Sequence, residues 1–386
     1  MRIAVVYDCL FPLTTGGGER QYRSFAEEFG RAGWQVDYLT RRQWQGAPPE
    51  VPGVTVVGIA PAGRLYDHQG TRRPLPALVF AWHVLRHLLR HRGRYDAVLV
   101  SALPVLNVLA ARLALLGSRT PMCSDFLEVW RREQWLEYSG PVVGRVADAL
   151  QRLAVRASPL VSCHSRMNGD RLRALGARSE PVVSPGLIES IEVPAARGVA
   201  TEPPTVVYVG RHIPDKRVER VPAAVAWARQ AVPDLRAVVL GQGETTAAVR
   251  AEVARLGLED VVDLPGFVEQ EALDATVRDA AVLVNPSRRE GYGLVVVEAC
   301  AAGTPVVVVA APDNAAVELV TDGVNGFVAA SDRPDDLGAA VVAAVAGGPR
   351  LRASARAWFD DAVRTRTVQA AARGVLAALV TARSSG

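Results

Sequence analysis

The chain has 386 residues, of which 49% are hydrophobic and 22% are charged. At roughly 100 to 200 residues per domain, this length predicts about two to three domains, and the apolar share excludes a disordered or fibrous chain. Lys and Arg number 44 against 40 Asp and Glu, and the formal net charge of +4 is too small to indicate a nucleic-acid-binding protein.

Short β-branched runs alternate with helix-like segments along the first half of the chain. The runs that we predict as buried strands are residues 3–7, 35–39, 54–59, 97–101 and 160–163. Strand–helix–strand order with continuously apolar strands predicts a parallel, doubly wound α/β layer. The apolar stretch 97–117 contains Pro104, Asn107 and Arg112, so we interpret it as a strand, a turn and a buried helix instead of a membrane span.

The first predicted strand leads into a glycine loop that contains Gly16, Gly17 and Gly18, and a helix follows. Three glycines let the backbone approach a ligand closely, and the free N–H groups of a helix attract an anion. The loop has neither the Gly-Lys-Ser/Thr of a P-loop nor a G-x-G-x-x-G fingerprint. A tight turn without a ligand is the alternative.

Residues 82–92 form a basic segment that carries three of the six histidines around a leucine stripe. Such a helix can lie peripherally on an anionic membrane. We favour the alternative, a surface helix that buries Val84, Leu85, Leu88 and Leu89.

Signals for export and for metal binding are weak in this sequence. The N-terminal apolar run ends at Asp8 and is too short for the apolar region of a secretory signal. Cys9, Cys123, Cys163 and Cys300 have no paired spacing, so neither a zinc site nor a disulfide framework is indicated. We therefore expect a cytoplasmic protein, with peripheral contact at the inner face of the membrane as the one reservation.

The alternating pattern lapses over residues 194–204 and then begins afresh. The second series of predicted strands is residues 205–209, 236–240, 261–264, 281–285 and 305–310. We predict an N-terminal domain of residues 1–196 and a C-terminal domain of residues 204–361. Ligands of such sheets bind beyond the carboxyl ends of the strands, which predicts a site in a central cleft between two domains.

Charged residues follow two strands of the second series. Arg211 and Lys216 come after residues 205–209, and two cations there suit a diphosphate, with a solvated basic loop as the competing interpretation. The segment 241–243, Gly-Gln-Gly, is interpreted as a strand-to-helix loop, because the third glycine of a dinucleotide fingerprint is missing.

Residues 285–300 favour the functional interpretation of these cations. A strand ends at Asn285 and a helix begins near Gly293, whose first N–H groups can receive a phosphate. Glu298 lies in an otherwise apolar helix, so we expect it to be buried and to need donors such as ribose hydroxyls. Glu290 lies at the mouth of the loop and can accept hydroxyls of a sugar. A structural glutamate is the alternative at either position.

The sequence resembles the retaining glycosyltransferases of family 4, which have the glycosyltransferase-B fold. The resemblance covers about residues 205–330 and is looser in the first domain, where residues 16–19 and 165–176 carry it. The landmarks of the second domain are Val209-Gly210-Arg211, Lys216, Gly241-Gln242-Gly243, Pro265-Gly266-Phe267-Val268, Pro286-Ser287, Glu290, Glu298, Gly303-Thr304-Pro305-Val306 and Asp322-Gly323-Val324-Asn325-Gly326-Phe327.

This resemblance implies an α/β fold of two Rossmann-like, doubly wound domains that face a central cleft, with a C-terminal helix of about residues 362–386 packed back on the first domain. It implies an enzyme that moves a sugar from a nucleoside-diphosphate sugar, such as a UDP-sugar, to an acceptor hydroxyl with retention. No metal or other cofactor is expected, and the chain has no Asp-x-Asp.

The resemblance also assigns roles to individual positions. Arg211 and Lys216 would hold the donor diphosphate, and Glu298 would hold the ribose. Glu290 is predicted as a catalytic residue that would hold the transferred sugar. The remaining donor-binding positions are Gly16, Gly17, Phe267, Gly291, Tyr292, Gly293 and Leu294.

The first domain departs from the family pattern at the acceptor side. Many relatives have a His near the reacting carbon, where this chain has Leu127. We hypothesise that Asp125 or Glu128 takes part of that catalytic role. His164 follows a predicted strand and is interpreted as a core or turn histidine.

The acceptor is the least specified part of this prediction. A lipid, a glycan and a small natural product all remain open. A noncatalytic nucleotide-sugar-binding subunit is one alternative function, and an NAD-dependent oxidoreductase that lacks a complete fingerprint is a less favoured one.

Overall fold

The computed structural model describes residues 1–14, 16–65, 73–189 and 198–384. The chain divides into two units, one formed by Met1–Glu189 with Arg366–Gly386 and the other by Ser190–Thr365. Of the predicted interdomain segment, residues 194–197 lie outside the described residues, and so does Thr15 of the glycine loop.

The first unit is built on a seven-stranded parallel sheet in the order β3-β2-β1-β4-β5-β6-β7. The strands are β1 (Arg2–Val6), β2 (Gln35–Arg41), β3 (Val54–Ala60), β4 (Ala97–Ser101), β5 (Met122–Phe126), β6 (Leu160–Cys163) and β7 (Val182–Val183). Ile3 of β1 lies opposite Val36 on one side and Ala97 on the other. β-branched residues dominate these runs because the central strands are buried on both faces.

Helices cover this sheet and complete the first core. They are α1 (Gly17–Arg31), α2 (Pro74–Arg90), α3 (Leu106–Ala114), α4 (Arg132–Ala157) and α5 (Arg166–Ala174). Phe80 and Val84 of α2 pack with Val108 of α3 against the apolar side chains of β1 and β4. α4 is interrupted at Gly140, which has a φ of 76° and precedes Pro141.

The second unit repeats the architecture with a six-stranded parallel sheet in the order β10-β9-β8-β11-β13-β15. Its strands are β8 (Thr205–Val209), β9 (Arg236–Leu240), β10 (Val262–Gly266), β11 (Val282–Asn285), β13 (Val306–Val309) and β15 (Gly326–Ala329). Two short strands, β12 (Arg289–Glu290) and β14 (Asp313–Asn314), pair with each other.

The helices of the second half are α6 (Val221–Ala228), α7 (Thr246–Leu256), α8 (Gln270–Asp279), α9 (Leu294–Ala301), α10 (Pro334–Thr365) and α11 (Val368–Ser384). Three short 3₁₀ segments lie at Pro214–Lys216, Val218–Arg220 and Ala315–Leu319. α10 is kinked at Gly348 and Pro349, and α11 belongs to the first unit, where it packs on α1.

The apolar pattern of the sequence predicted most strands of both sheets. Predicted residues 97–101, 160–163, 205–209 and 236–240 coincide with β4, β6, β8 and β9. The stretch 97–117 is a strand, a turn and a helix, as expected. β5, β7 and β15 have no counterpart among the predicted strands.

The prediction for the basic helix was wrong in part. Val84 and Leu88 are buried, but Leu85 is only half-buried and Leu89 is 45% exposed. Leu85 still packs against the edge of the core, whereas the helical period carries Leu89 outside the sector of α2 that faces the sheet. None of the helices in the described part of the chain combines the length and apolar character that a bilayer span requires.

Candidate active site

An ion pair between Lys216 and Glu290 is the centre of the charged cluster in the second unit. Lys216 ends the 3₁₀ segment after β8, and Glu290 ends the short strand β12 that follows β11. The neighbouring parallel strands β8 and β11 therefore bring the two residues together. Glu290 Oε1 also accepts a hydrogen bond from Asn285 Nδ2 at 3.3 Å and lies 3.1 Å from Ser287 Oγ. Both side chains of the pair are partly buried, which strengthens their attraction over that of a surface pair.

A second set of ion pairs joins the same two loops. Asp215 Oδ1 accepts a hydrogen bond from Arg288 Nε at 3.1 Å, and Asp215 Oδ2 pairs with Arg289. The Arg288 amide donates to the Asp215 carbonyl at 2.9 Å. These contacts fix the backbone on either side of the pair between Lys216 and Glu290, so that its geometry is held by the loops themselves. Arg211, by contrast, is exposed to solvent.

Glycines let three strand-end loops of this unit pack backbone against backbone. A Cβ on Gly241, whose φ is 107°, would lie 3.0 Å from the Gly210 carbonyl carbon. A Cβ on Gly243 would lie 2.8 Å from the His212 carbonyl carbon. The segment 241–243 is therefore the predicted strand-to-helix loop between β9 and α7.

His212 is fully buried between these loops. Its Nδ1 lies 2.9 Å from Thr246 Oγ1, which in turn accepts the Gly243 amide at 3.0 Å. Burial lowers the pKa of His212, so the ring is neutral near pH 7. It holds the loops together without adding to the charge of the site.

The start of α9 presents backbone N–H groups beside this cluster. Gly293 is its N-cap, and no side chain caps the helix. Gly293 has a φ of 104°, and a Cβ there would lie 2.7 Å from the Ala316 Cβ. Tyr292 is buried, while Gly291 and Leu294 are half-buried. Glycine is thus required for the turn that starts the helix.

Glu298 contradicts the sequence prediction, because it is exposed instead of buried. Its neighbours Val297, Ala299 and Cys300 all face the core of the unit. Among residues 296–300 of α9, Glu298 is the position that faces away from that core. The apolar composition of the helix gave no sign of this exposed position. Phe267, after β10, is 72% exposed.

In the first unit, the glycine loop lies against the residues that follow β1 and β5. α1 begins at Gly17, and Gly16 caps it without a side-chain hydrogen bond. A Cβ on Gly18 would lie 3.0 Å from both Tyr7 Oη and Leu127 Cδ1. The loop and the position where relatives have a His are therefore neighbours.

Asp125 lies within β5, is fully buried and joins four side chains, two from α1, one from β6 and one from the residue that follows β6. Its carboxylate accepts hydrogen bonds from Tyr22 Oη at 2.7 Å, Gln21 Nε2 at 3.2 Å and Ser162 Oγ at 2.6 Å, and it lies 3.1 Å from His164 Nε2. Burial opposes ionisation of Asp125, but His164 and these hydrogen bonds outweigh it and hold the pKa of the carboxyl below its usual value. His164 is a core histidine, as predicted.

Glu128 differs from Asp125 in being exposed, although only three residues separate them. Glu128 Oε2 accepts a hydrogen bond from Trp130 Nε1 at 2.7 Å. Trp130 packs against Trp135 and Tyr138, with ring centroids 4.6 and 5.1 Å apart. Of the two predicted acidic residues, Glu128 is the one that a solute can reach.

Comparison with known families places this site in context. Residues 190–357 match the family described as glycosyl transferases group 1, and residues 16–186 match the glycosyl transferase 4-like domain. A D-inositol 3-phosphate glycosyltransferase of Kribbella flavida is 30% identical over 83% of this chain and 80% of its own. One of Segniliparus rotundus is 28% identical over 96% of this chain and 86% of its own.

The chain belongs to glycosyltransferase family 4.

Solved structures agree on the fold of this glycosyltransferase. Sucrose-phosphate synthase from Thermosynechococcus elongatus covers 100% of both chains with a TM-score of 0.76 and 17% identity. The Anabaena protein Alr3699/HepE, in complex with UDP and glucose, covers 99% of this chain and 100% of its own with a TM-score of 0.68 and 18% identity. The fold is the predicted glycosyltransferase-B fold.

As a family 4 glycosyltransferase, the protein is an enzyme that transfers a sugar from a nucleotide-sugar donor to an acceptor hydroxyl. The alternatives of an NAD-dependent oxidoreductase and of a noncatalytic subunit are not supported. In the part of the chain that the structure describes, no group of three or more His, Cys, Asp or Glu side chains is arranged to hold a metal ion.

One feature of the site escaped sequence reasoning, namely the ion pairs of Asp215 with Arg288 and Arg289. These ion pairs depend on the loops meeting in space and leave no local signal. Lys216 did leave one: among the 44 Lys and Arg of the chain it is the only lysine. A chain that uses arginine at every other basic position marks this one as a place where a compact ammonium is used instead.

Proposed function

We propose that this glycosyltransferase uses a UDP-sugar, keeps the anomeric configuration of the sugar and needs no metal ion. The observation that carries the proposal is the pair between Lys216 and Glu290, at the carboxyl ends of two neighbouring strands and beside the start of α9. The Anabaena protein of the same fold, whose structures contain UDP and UDP-glucose, supports the choice of UDP.

Positive charge for the donor diphosphate would come from the protein itself. Lys216 is partly exposed and Arg211 is exposed, so an anion can reach both side chains. The uncapped start of α9 adds N–H groups and the positive end of the helix dipole. Together these groups can stabilise the departing diphosphate in the role that a divalent cation has in other enzymes.

The two glutamates would hold hydroxyl groups of the donor. All three contacts described for Glu290 involve Oε1, so its Oε2 can accept hydroxyls of the transferred sugar. Glu298 is exposed on α9, one turn after the helix start, where it can accept the ribose hydroxyls. Phe267, with most of its ring exposed, is the candidate for contact with the base.

We propose that the reaction proceeds by same-face attack. The acceptor oxygen forms a bond to the anomeric carbon while the bond from that carbon to the diphosphate oxygen breaks. The departing phosphate takes the proton of the acceptor hydroxyl, and Lys216 with Arg211 stabilises the charge that remains on it. No carboxylate is needed as a covalent nucleophile.

On the acceptor side, we assign different roles to the two acidic residues. Glu128 is exposed and can touch an acceptor directly. Asp125 is buried with both carboxylate oxygens hydrogen-bonded, so it would act by holding α1 and thereby Gly16 and Gly17 in place. Asp125 is therefore proposed as a positioning residue.

The identity of the acceptor stays open in this proposal. Relatives are named D-inositol 3-phosphate glycosyltransferase and, over 36% of this chain, alpha-D-kanosaminyltransferase of Streptomyces kanamyceticus. The first name gives an inositol phosphate, whereas the second gives the amino sugar that is transferred. An inositol phosphate is therefore an acceptor to test, beside lipids, glycans and small natural products. The cytoplasmic location expected from the sequence stays a prediction.

The single lysine allows a direct test of the donor site. An amine-reactive reagent can modify only Lys216 and the N-terminal amine, which serves as an internal control in the same molecule. We expect UDP in the presence of EDTA to slow modification of Lys216 several-fold and to leave the N-terminal amine unaffected. Mass spectrometry of the two peptides measures both rates.

A variant of Glu298 completes this test. Glu298→Gln should weaken the protection by UDP, whereas Glu271→Gln, at an exposed position of α8, should not. Equal protection by GDP or ADP would contradict the choice of UDP. Protection that appears only when a divalent cation is added would contradict the metal-free donor site.

A further inference from the structure

A cavity of about 510 Å³ lies in the first unit, between α2 and the edge strand β3. Val57, Gly58 and Ile59 of β3 line one side, and basic side chains of α2 and of the turn after it line the other. None of the residues proposed for donor or acceptor binding takes part in it. The basic residues that line it are His83, Arg86, His87, Arg90, His91 and Arg94.

The charge of this cavity is positive at neutral pH and comes from arginine. Its one acidic residue, Asp37 of β2, is already paired with Arg94 at 3.1 Å and accepts a hydrogen bond from Tyr95 Oη at 3.0 Å. Arg86 and Arg90 are exposed, and the structure shows no carboxylate paired with either of them among the described residues. Burial and His91 lower the pKa of His87 to about 4, so that this ring is neutral.

α2 also exposes an apolar strip next to the basic one. Leu75, Leu78, Trp82 and Leu89 are between 45% and 63% exposed. At about 100° per residue, these four side chains lie within about 60° of one another around the helix axis. The basic residues of α2 that line the cavity are centred about 100° from the middle of this apolar strip. Exposed large apolar side chains in a row are unusual on a surface that faces water alone.

With the buried face, these two strips make three sectors around α2. One faces the sheet through Phe80, Val84 and Leu88, one is apolar and exposed, and one is cationic and lines the cavity. A water-facing helix needs only the first sector and a polar remainder. This arrangement fits the surface of a bilayer, where acyl chains lie beneath anionic headgroups: the apolar sector would contact the acyl chains and the cationic sector the headgroups.

We propose that α2 docks on an anionic lipid bilayer, with Leu75, Leu78, Trp82 and Leu89 in the interface and a lipid phosphate in the cavity between Arg86 and Arg90. Guanidinium groups suit this ligand because their N–H groups match the oxygens of a phosphate. This site is independent of the donor site, and it makes the glycosyltransferase a peripheral membrane enzyme.

The test compares vesicles of phosphatidylcholine with vesicles that also contain phosphatidylglycerol. We expect the full-length protein to co-sediment only with the anionic vesicles. The double variant Arg86→Gln/Arg90→Gln should bind about 30-fold more weakly, since each basic residue at an anionic surface contributes about fivefold. Arg250→Gln/Arg350→Gln, two exposed positions of the second unit, changes the net charge equally and should bind as the wild type does.

Other outcomes would overturn the proposal. Equal loss in both double variants would mean that net charge alone drives binding. Unchanged vesicle binding by Leu78→Ser/Trp82→Ser would exclude insertion of the apolar strip. Stabilisation by inorganic phosphate that depends on Arg86 and Arg90, without vesicle binding, would assign the cavity to a soluble phosphate-bearing ligand. Unchanged stabilisation by UDP in every variant separates these results from damage to the fold or to the donor site.

Discussion

Single side chains decide the electrostatics of the donor site, and Lys216 is the clearest case. Its ammonium group is a compact point charge that meets Glu290 at the end of a short 3₁₀ segment, and Asp215 beside it is already engaged by Arg288 and Arg289. A guanidinium is larger and planar, and it cannot take the same position without moving one of these partners.

We therefore predict that Lys216→Arg weakens UDP binding about tenfold or more although the charge is kept. The loss corresponds to about one misplaced charge-assisted hydrogen bond. Titration calorimetry in EDTA measures the dissociation constant. Arg250→Lys on the exposed face of α7 is the matched control and should bind UDP normally. Normal binding by Lys216→Arg would mean that only the charge at this position matters.

Asp125 shows how a buried charge is used for position instead of chemistry. It connects β5 to Gln21 and Tyr22 of α1 and to Ser162 of β6, and it has no exposed surface. Because its pKa is lowered in the folded state, the ionised form is bound more tightly by the fold than by the unfolded chain. Its contribution to stability is complete above the unfolded pKa and is lost as the pH falls through the folded pKa.

Asp125→Asn should accordingly lower the free energy of unfolding at pH 7 by about 1–3 kcal/mol, as expected when a buried hydrogen-bonded charge is lost. The difference from wild type should shrink as the pH falls below about 4, the ordinary pKa of an aspartate. Urea denaturation at several pH values measures both. Asp170→Asn, at an exposed position of α5, should match the wild type throughout. A difference that stays constant with pH would show that ionisation of Asp125 does not stabilise the fold.

At the scale of elements, the turn into α9 depends on one glycine. Gly293 combines a φ of 104° with a neighbour, Ala316, that leaves no room for a Cβ. Gly257, at the end of α7, also has a positive φ of 64°, but nothing lies within 4 Å of the position of a Cβ. Replacing Gly257 by alanine therefore costs stability through the dihedral angle alone, whereas replacing Gly293 adds the cost of a steric clash.

Gly257→Ala should cost about 1 kcal/mol of stability through its dihedral angle and leave UDP binding unchanged. Gly293→Ala should cost more and should also weaken UDP binding, because relief of the contact with Ala316 displaces the first N–H groups of α9. Thermal unfolding with and without UDP gives both quantities. Undiminished stabilisation of Gly293→Ala by UDP would argue against a role for the start of α9 in donor binding.

The strands and helices also show which signals a sequence carries. Continuous apolar runs such as those of β4 and β8 can be recognised in the sequence. Both faces of these strands are buried, so consecutive residues are apolar. β5 is just as buried, yet Ser124 and Asp125 interrupt its pattern, and their hydrogen-bond partners come from other elements. Only the folded chain shows that these polar groups are satisfied.

The site was predictable to a similar degree. Lys216, Glu290 and Gly293 follow strand ends, and strand ends can be located from sequence. The exposure of Glu298 could not be predicted in this way, because an apolar helix of eight residues gives no sign of which strip faces away from the core. The pairing of Asp215 with two arginines depends on loop conformation and has no periodicity to reveal it.

At the scale of the whole molecule, the chain leaves the first unit and returns to it near its end. Ile188 and Thr367 form a parallel bridge, and the Ile188 amide donates to the Arg366 carbonyl at 3.0 Å. A Cβ on Gly186 would lie 2.8 Å from the Arg366 carbonyl carbon, so the two segments pass each other at backbone contact. α11 then buries Val375 and Leu379 in the first unit.

The two C-terminal helices should therefore stabilise different halves of the enzyme, which a pair of leucine variants can test. Leu379→Ala in α11 and Leu351→Ala in α10 each remove a buried side chain, at a cost of about 2–5 kcal/mol. We expect Leu379→Ala to speed amide hydrogen exchange in β1 about 30-fold or more and to leave β8 unchanged, with the reverse pattern for Leu351→Ala. Equal acceleration of both strands in either variant would mean that the units open together, and that the return of the chain at Arg366 couples them energetically.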